Sequence, residues 1–377
     1  MKKLKLGMIG GGIGAFIGDA HRRASRICND YELIGGVFSS DYENCKQFAN
    51  AEGLNPDRCY ESVEALIKAE SAMPVDERIQ VISIVTPNAL HYPFSKSLLS
   101  AGFHVICEKP MTLTVAEAEE LETLVIKNKL TFALAHTYTG YPMIRQMKDL
   151  IEQGVLGTIQ RVDAQYYQGW INSIIHGTES RITGVWRLDP IHAGVSSCMG
   201  DIGVHAFNLI EYTTGMEVKE VLSDLNTVKE DVELDLDGTV LLRLDKNLKG
   251  VIRASQVCAG EENNLTIAVY GSKASIKWSQ ENPNYLYLLS DTEPTKIYKP
   301  AHAYNDAFAE AGHILPAGHP EGLYEALANI YKGVAKSIRG EQFIPGEFPT
   351  VHDGVRGMKF IHSVVKSNDA GNSWVKI

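Results

Sequence analysis

A glycine-rich turn lies between the first apolar segment of the chain and the first helical one. Residues 4–9 read LKLGMI, residues 9–18 continue as IGGGIGAFIG, and a helical pattern then runs to about residue 27. Glycine lets the backbone adopt left-handed conformations and approach other groups closely. A buried strand, a glycine turn and a helix in direct succession predict the first half of a βαβ unit.

The pattern of a strand followed by a helix repeats through the first 135 residues. Apolar, strand-like runs occur at residues 4–9, 32–38, 81–85, 105–107 and 130–135. Helical segments separate these runs, and one of them begins with a capping box formed by Thr114 and Glu117. Continuous apolar strands separated by helices predict a doubly wound parallel sheet that is covered on both faces.

Strands of a different kind follow from about residue 136. Their apolar and polar residues alternate, as in TVLLRLD (239–245), GVIRASQVC (250–258), NLTIAVYG (264–271) and ASIKWS (274–279). Such alternation is typical of neighbours in an antiparallel sheet. A chain of 377 residues also exceeds one ordinary core. We therefore predict two domains: residues 1–135 with the parallel sheet, and residues 136–377 as an α/β domain with a large, mostly antiparallel open sheet.

Charge and cysteine content restrict the surroundings in which we expect the protein. With 46 acidic and 36 basic residues the formal net charge is −10, which disfavours binding to nucleic-acid phosphates. The six cysteines show no CxxC spacing and indicate free thiols in a reducing compartment. The N terminus has the basic start of a secretory signal, but glycines interrupt its apolar part. We expect a cytoplasmic protein with no nucleic-acid or membrane partner.

The glycine turn fits a dinucleotide-binding fingerprint. Gly10, Gly12 and Ala15 match G-x-G-x-x-G/A, and the pyrophosphate would rest on the N terminus of the following helix. The alternative is a glycine-rich turn in an α/β protein that binds no nucleotide. The position between a strand and a helix favours the fingerprint. We predict that Gly10, Gly12, Ile13 and Gly14 contact the cofactor.

The end of the second strand distinguishes NAD from NADP. An acidic residue there binds the ribose hydroxyls of NAD. This chain reads GGVFSSDYE at 35–43, so Ser39 stands where an Asp is expected and Asp41 follows two residues later. Serines can accept a 2′-phosphate, but no Arg or Lys is adjacent. We predict cofactor contacts from Ser39 and Ser40 and favour NAD(H) over NADP(H).

Four motifs occur in a defined order along the chain. They are the fingerprint at 10–15, TPNALH at 86–91, EKP at 108–110 and GDIGVH at 200–205. This ordered set resembles the Gfo/Idh/MocA family, named for glucose–fructose oxidoreductase, inositol dehydrogenase and a rhizopine catabolism protein. The resemblance covers nearly the whole chain. It implies an N-terminal Rossmann domain, and a C-terminal sheet that often forms homodimers or homotetramers.

The same resemblance implies a reaction and its residues. Family members usually transfer a hydride between NAD(P) and one secondary alcohol of a sugar or cyclitol. Lys109 matches the EKP lysine, and Asp201 and His205 match the acid and histidine of the second-domain motif. A histidine suits the base because its pKa lies near working pH, and a lysine ammonium stabilises an alkoxide. We predict Lys109, Asp201 and His205 as catalytic residues, with Asp201 orienting His205 or binding a hydroxyl.

Other residues are predicted around these three. The resemblance places a loop beside the cofactor and a Trp-Arg pair near the nicotinamide, and Glu108 is expected to hold Lys109 or a ribose. The additional cofactor residues are Thr86, Pro87, Asn88, His91, Glu108, Lys109, Trp186 and Arg187. The candidate substrate contacts are Tyr138, Tyr141, Asp201, His205 and His319. A role in the core is an equal alternative for each tyrosine.

Several alternatives remain open from the sequence. Asp201 and His205 by themselves also fit a helix surface pair or two metal ligands, but no third ligand has suitable spacing, so we expect no metal. Alternative functions are an NAD-dependent glycosidase that acts by transient oxidation, a myo- or scyllo-inositol dehydrogenase, and a non-catalytic nucleotide-binding regulator. His21 comes three residues later than the histidine of the family pattern, which predicts an enlarged phosphate loop.

Overall fold

The computed structural model describes residues 2–177 and 185–377. The chain forms two compact units, one of Met1–Gly140 with Leu323–Val355 and one of Tyr141–Gly322 with Arg356–Ile377. The boundary predicted from the sequence, at 135/136, places every later residue in the second domain. In the structure Leu323–Val355 instead belongs to the first unit, because its apolar residues complete the core of that unit.

The first unit contains a parallel five-stranded sheet. In chain order its elements up to residue 134 are β1 Leu4–Gly10, α1 Phe16–Cys28, β2 Tyr31–Val37, α2 Tyr42–Ala51, α3 Val63–Ser71, β3 Val81–Val85, α4 His91–Ser100, β4 His104–Cys107, α5 Val115–Asn128 and β5 Phe132–Leu134. The strand order is β2-β1-β3-β4-β5, with every pair parallel. All carboxyl ends therefore meet at one edge, where ligands bind in sheets of this kind. The predicted doubly wound parallel sheet is confirmed.

The second unit begins with α6 and contains most of the remaining strands. Its elements up to residue 310 are α6 Pro142–Glu152, β6 Ile159–Tyr167, α7 Ile171–Ile175, α8 Pro190–Ala193, α9 Val204–Thr214, β7 Val218–Asn226, β8 Asp237–Leu244, β9 Lys249–Ser255, β10 Asn264–Gly271, β11 Ser275–Ser279, β12 Leu286–Leu289, β13 Lys296–Tyr298 and α10 Ala307–Glu310. Short 3₁₀ turns, among them Thr137–Gly140 in the first unit and Val185–Leu188 in the second, connect several elements.

The C-terminal part of the chain contributes to both units. It consists of α11 Leu323–Arg339, α12 Val351–Asp369 and β14 Val375–Lys376. Leu327, Ile330, Tyr331 and Val334 of α11 are buried in one cluster with β1 and α1 of the first unit. Four apolar side chains at helical spacing give α11 a face that needs cover, and α1 provides it. This packing explains why a late segment returns to the N-terminal unit.

The large sheet of the second unit has nine strands. Their order is β13-β12-β11-β10-β6-β9-β8-β7-β14, and every pair is antiparallel except β6 with β9. Burial alternates along β6 and β8, as the period-two pattern of the sequence predicted. The predicted α/β domain with a mostly antiparallel open sheet is confirmed. In residues 2–177 and 185–377 no helix is long and apolar enough to cross a membrane.

Candidate active site

The glycine turn after β1 has the geometry of a phosphate-binding loop. Gly10, Gly11 and Gly14 have φ angles of +82°, +73° and +77°, which L side chains rarely adopt. A side chain at Gly12 would place its Cβ 2.7 Å from the carbonyl oxygen of Phe38. Helix α1 follows at Phe16, and no described side chain caps its N terminus. Its first amides are therefore available to an anion, so these residues fit a dinucleotide pyrophosphate.

The structure identifies a third glycine of the fingerprint that the sequence analysis missed. A Cβ at Gly18 would lie 2.3 Å from the Cα of Gly11, so only glycine allows α1 to pack this closely on the turn. Ala15, three residues earlier, was the position expected for this role. His21 is displaced by the same three residues, so the G-x-x-H spacing from Gly18 to His21 was the signal that could have found it.

The end of β2 carries the residues expected to contact the ribose. The carboxylate of Asp41 accepts the N–H of Glu43 at 2.9 Å and caps α2. Ser39 Oγ accepts the N–H of Asp41 at 3.1 Å, and Ser40 is exposed. One oxygen of Asp41 is thus used by the protein itself, and the contacts of Ser39 and Ser40 with a ribose stay a prediction.

The ring of His91 lies between two loops of the first unit. Its Nδ1 lies 2.7 Å from the Pro110 carbonyl oxygen and its Nε2 lies 2.9 Å from the Thr86 carbonyl oxygen. Burial lowers the pKa of His91, and the two carbonyls oppose that shift. Since backbone oxygens lie beside both ring nitrogens, His91 positions this loop. Thr86 Oγ1 is buried without a hydrogen-bond partner in the described chain, while Pro87 and the buried Asn88 begin the following turn.

The EKP segment begins directly after β4, at the edge that carries the glycine turn. Glu108 Oε1 lies 2.9 Å from His21 Nε2, and Glu108 Oε2 accepts the N–H of Lys109 at 3.1 Å. Burial raises the pKa of Glu108, but the hydrogen bond from His21 and the neighbouring charges outweigh it, so this pKa lies below its usual value. The peptide bond between Lys109 and Pro110 is cis.

His136 is a second histidine near Lys109 that the sequence reasoning assigned to the core or surface. It follows β5 and is buried. Burial, assisted by the positive charge of Lys109, lowers the pKa of His136 to about 3. His136 therefore stays neutral at physiological pH and adds no charge beside the lysine.

In the second unit, Asp201 and His205 occupy one continuous helical segment. Asp201 lies in a π-helical turn, Met199–Gly203, that leads directly into α9, where His205 stands. Such turns are rare and often occur at functional sites. The buried carboxylate of Asp235 holds this turn, because it accepts the N–H groups of Ser197 and Met199 at 3.0 and 2.9 Å. Burial raises the pKa of Asp235, and these hydrogen bonds oppose the shift.

The carboxylate of Asp201 has two partners of its own. Its Oδ2 lies 3.1 Å from Arg187 Nε and accepts a hydrogen bond from Gln256 Nε2 at 2.9 Å. The guanidinium of Arg187 also lies over the ring of Trp186, 4.4 Å from its centroid. The structure thus places the predicted Trp-Arg pair beside Asp201. Gln256 and Asp235 gave no motif in the sequence and are found through the structure alone.

An aromatic ring near His205 belongs to a cluster of polar and aromatic side chains. The ring of Tyr166 lies 6.3 Å from the ring of His205. Tyr166 Oη donates to Asn263 Oδ1 at 2.6 Å, and Gln168 donates to the same oxygen at 2.8 Å. Trp170 Nε1 donates to Gln168 Oε1 at 2.9 Å. The amide and indole groups of this cluster hydrogen-bond to one another and hold the ring of Tyr166 near His205.

The remaining predicted substrate residues are placed differently. Tyr141 is buried in the second unit, with its ring centroid 5.3 Å from that of Trp278, which supports the core alternative for this tyrosine. Tyr138 is buried in the 3₁₀ turn Thr137–Gly140 of the first unit. His319 is exposed, and its Nδ1 lies 3.2 Å from the Pro316 carbonyl oxygen of its own loop. Across the described residues, no group of three His, Cys, Asp or Glu side chains is arranged to hold a metal ion.

Two family profiles match the chain. A profile described as an oxidoreductase family with an NAD-binding Rossmann fold matches residues 4–136, and one described as a GFO/IDH/MocA C-terminal domain matches residues 144–277. The chain belongs to the Gfo/Idh/MocA family of oxidoreductases. The family predicted from four ordered motifs is therefore confirmed.

Several Gfo/Idh/MocA relatives span the full chain. The uncharacterised oxidoreductase YfiI of Bacillus subtilis strain 168 is 33% identical, over 100% of this chain and 97% of its own. Levoglucosan dehydrogenase of Pseudarthrobacter phenanthrenivorans is 25% identical, over 100% of this chain and 99% of its own. The structure of an inositol dehydrogenase homologue from Azotobacter vinelandii, complexed with NADH and myo-inositol, is 30% identical and covers 100% of this chain and 98% of its own, with a TM-score of 0.91.

Proposed function

We propose that the protein is an NAD(P)-dependent dehydrogenase that acts on one secondary alcohol of a sugar, glycoside or cyclitol. The observation that carries this proposal lies in the first unit. The glycine turn after β1 and Lys109 after β4 stand at the carboxyl ends of parallel strands in one sheet. A cofactor-binding turn and a cationic side chain at one sheet edge are what alcohol oxidation requires.

The predicted cofactor residues would hold NAD(P). Gly10, Gly12, Ile13 and Gly14 would bind the pyrophosphate, and Ser39 and Ser40 the ribose. The other assigned residues, nearer the nicotinamide, are Thr86, Pro87, Asn88, Glu108, Lys109, Trp186 and Arg187. When bound, NAD(P) supplies the hydride acceptor or donor.

Three side chains of this chain would then handle the proton and the charge. Lys109 would stabilise the oxygen of the alcohol as it loses its proton. His205 would take that proton during oxidation and return it during reduction. Asp201, fixed by Arg187 and Gln256, would orient the substrate or His205.

NAD(H) is the cofactor that the surroundings of the glycine turn favour. Arg22 is a cation in α1, but its Nη1 donates to the Gly11 carbonyl oxygen at 2.5 Å and its Nε lies 3.7 Å from Glu52. Because these contacts engage the guanidinium, Arg22 is poorly placed to bind a 2′-phosphate. The similar structure from Azotobacter vinelandii holds NADH.

Neutral polyols are the substrates that the second unit favours. Tyr166, whose ring lies 6.3 Å from that of His205, hydrogen-bonds to Asn263 in a cluster that also contains Gln168 and Trp170. Hydroxyl groups pair with such side chains, and sugar rings stack on aromatic faces. Support also comes from two similar proteins, a levoglucosan dehydrogenase and an inositol dehydrogenase homologue complexed with myo-inositol. His319 and Tyr138 remain proposed substrate residues without a described contact to this group.

A panel assay tests the function. The protein is incubated with NAD or NADP and a set of monosaccharides, glycosides and inositols, and nicotinamide reduction is followed by absorbance. We expect reduction with at least one neutral polyol and faster reduction with NAD. Cleavage of a glycoside without a change in absorbance would indicate the glycosidase. Binding of NAD without turnover of any compound would indicate a regulator.

A homo-oligomer in the cytoplasm completes the proposal. One row of cross-strand neighbours on the large sheet contains both apolar and charged residues. Of these, Leu241 is 44% exposed and Ile297 is 46% exposed. The row is Ile297, Tyr287, Lys277, Ala268, Asp163, Val251 and Leu241. We expect a second copy of the chain to cover it, and sedimentation velocity to show a homodimer or homotetramer. All six cysteines are free thiols, in agreement with a reducing compartment.

A further inference from the structure

A chain of hydrogen bonds lies behind the EKP segment in the first unit. Ser83 Oγ lies 2.6 Å from Tyr331 Oη, which lies 2.8 Å from His21 Nδ1. His21 Nε2 then lies 2.9 Å from Glu108 Oε1. The chain ends at Lys109, whose backbone N–H donates to the other oxygen of Glu108. We call these four side chains, Ser83, Tyr331, His21 and Glu108, the Glu108 relay.

The chemistry of the end group determines the direction of these bonds. An ionised carboxylate only accepts, so the hydrogen between His21 and Glu108 belongs to His21 Nε2. In a neutral imidazole the other nitrogen, Nδ1, then accepts from the Tyr331 hydroxyl. The Tyr331 oxygen in turn accepts from Ser83. Every donor in the relay thus has one acceptor, and the ring of His21 has one preferred orientation.

Burial indicates what the relay does. His21, Tyr331 and Ser83 are each 0% exposed, so a proton that entered at Glu108 would find no exit to solvent. A proton pathway is therefore a poor explanation. The ring of Tyr331 is also fixed from the other side, because Tyr31 Oη donates to its carbonyl oxygen at 2.7 Å and the two rings meet edge to face at 5.2 Å. The relay is built to hold groups in place.

The relay connects elements that are distant in sequence. His21 belongs to α1, which begins at the glycine turn, Ser83 belongs to β3, and Tyr331 belongs to α11. We propose that His21 and Tyr331 are positioning residues that hold Glu108, and through it the backbone of Lys109, in the orientation that hydride transfer needs. This inference rests on the proposed dehydrogenase function. It also gives the return of α11 to the first unit a role beyond covering the core.

Substitutions along the relay test this role. Tyr331→Phe keeps the ring but removes both hydrogen bonds of the hydroxyl, to His21 and to Ser83. We expect kcat to fall about 3- to 10-fold, the usual effect of one such bond, because only the bond to His21 lies between Tyr331 and Glu108. His21→Leu removes the donor to Glu108 and should lower kcat by about 10- to 100-fold. His21→Gln places an amide N–H near the former Nε2 and should recover part of this loss. KM for NAD should change less than 3-fold in each variant, because the binding residues are retained.

Tyr60→Phe is the matched control. Tyr60 Oη donates to Glu70 Oε1 at 2.6 Å, and both side chains are buried in the same unit. Like Tyr331→Phe, this variant removes a buried and hydrogen-bonded tyrosine hydroxyl, so its melting temperature should also fall while kcat stays at the wild-type value. Wild-type kcat in folded His21→Leu and Tyr331→Phe would overturn the proposal, as would an equal loss of kcat in Tyr60→Phe.

A measurement without turnover separates this proposal from the proposed function. The carboxyl carbon of Glu108 is followed by ¹³C NMR during a pH titration, with Glu108→Gln to assign the signal. His21, Lys109 and His91 are the charged or titratable groups whose interactions lower this pKa. In His21→Leu the pKa of Glu108 should rise. If the wild-type protein turns over no polyol, a raised value still supports the relay, and an unchanged value rejects it.

Discussion

Glu108 and Asp201 are two carboxylates of similar exposure, one in each unit, and they are held in different ways. Their side chains are 11% and 15% exposed. Glu108 is held by His21, which belongs to the buried relay, and by a backbone N–H of its own turn. Asp201 is held by Arg187, a partly exposed cation, and by the amide of Gln256. The first carboxylate is therefore fixed by the core of its unit, and the second by one buried amide and one partly exposed cation.

This difference indicates a division of labour. A carboxylate whose partners are buried positions its neighbours, because its own oxygens are used inside the protein. A carboxylate with a partly exposed partner, such as Arg187, is able to share that partner with a ligand hydroxyl. We therefore expect substitutions near Glu108 to affect kcat first, and substitutions near Asp201 to affect substrate recognition as well.

The largest expected effect concerns Lys109, which follows Glu108. Lys109→Ala should lower kcat by at least about 10²-fold, because the variant loses the charge that we propose stabilises the alkoxide. NADH binding, measured by fluorescence titration, should persist. Lys68→Ala, at an exposed position on α3, is the matched control and should retain full activity. Wild-type turnover in Lys109→Ala would remove the basis for the proposed function.

A smaller effect is expected at Asp201. Asp201→Asn keeps an oxygen that accepts from Gln256 but loses the charge that pairs with Arg187. We expect kcat/KM for the polyol to fall about 10- to 100-fold, the usual effect of losing a charged hydrogen-bond partner. The affinity for NADH should stay within 3-fold. Asp224→Asn, at an exposed position of β7, controls for the change in net charge. A loss confined to NADH affinity would contradict the assignment of Asp201 to the substrate.

The smallest expected effect concerns a third carboxylate, that of Asp149. Asp149 of α6 has one buried oxygen, Oδ2, without a hydrogen-bond partner in the described chain. Burial, with the negative charges of Asp306 and Glu152, raises the pKa of Asp149 to about 6. Protonated Asp149 is favoured in the folded state, so its contribution to stability is present below about pH 4 and is lost as pH rises through 6.

Asp149→Asn is neutral at every pH and should remove that loss. We expect its melting temperature to exceed the wild-type value at pH 8 by about 1–3 °C and to match it at pH 4. Scanning calorimetry at the two pH values measures the difference. Asp224→Asn again serves as the control and should show no such pH dependence. An equal shift at both pH values would mean that the charge of Asp149 is not the cause.

Much of the fold followed from local sequence patterns. Apolar runs separated by helical segments predicted the parallel sheet, and the capping box of Thr114 and Glu117 is present at the start of α5. The period-two strands predicted the antiparallel sheet. These features are visible in sequence because they depend on residues that are close along the chain.

The candidate site was predicted less completely. The motifs identified Lys109, Asp201 and His205, but Asp235 and Gln256 lack any motif, and the ring of Tyr141 lies in the core. His91 was assigned to the cofactor from its motif; its ring nitrogens lie beside two backbone carbonyls, and its contact with a cofactor stays a prediction. Sequence spacing indicates where a side chain begins, and packing decides which atoms it reaches.

The sequence by itself determined the family, the two types of sheet and the order of the site motifs along the chain. The tertiary structure alone decided that Gly18 packs on Gly11, that α11 belongs to the first unit and that Tyr331 meets His21. These contacts join residues as far apart as 310 positions. No local pattern encodes such a contact, because its free energy comes from burying apolar surface and pairing polar groups that meet only after the chain has folded.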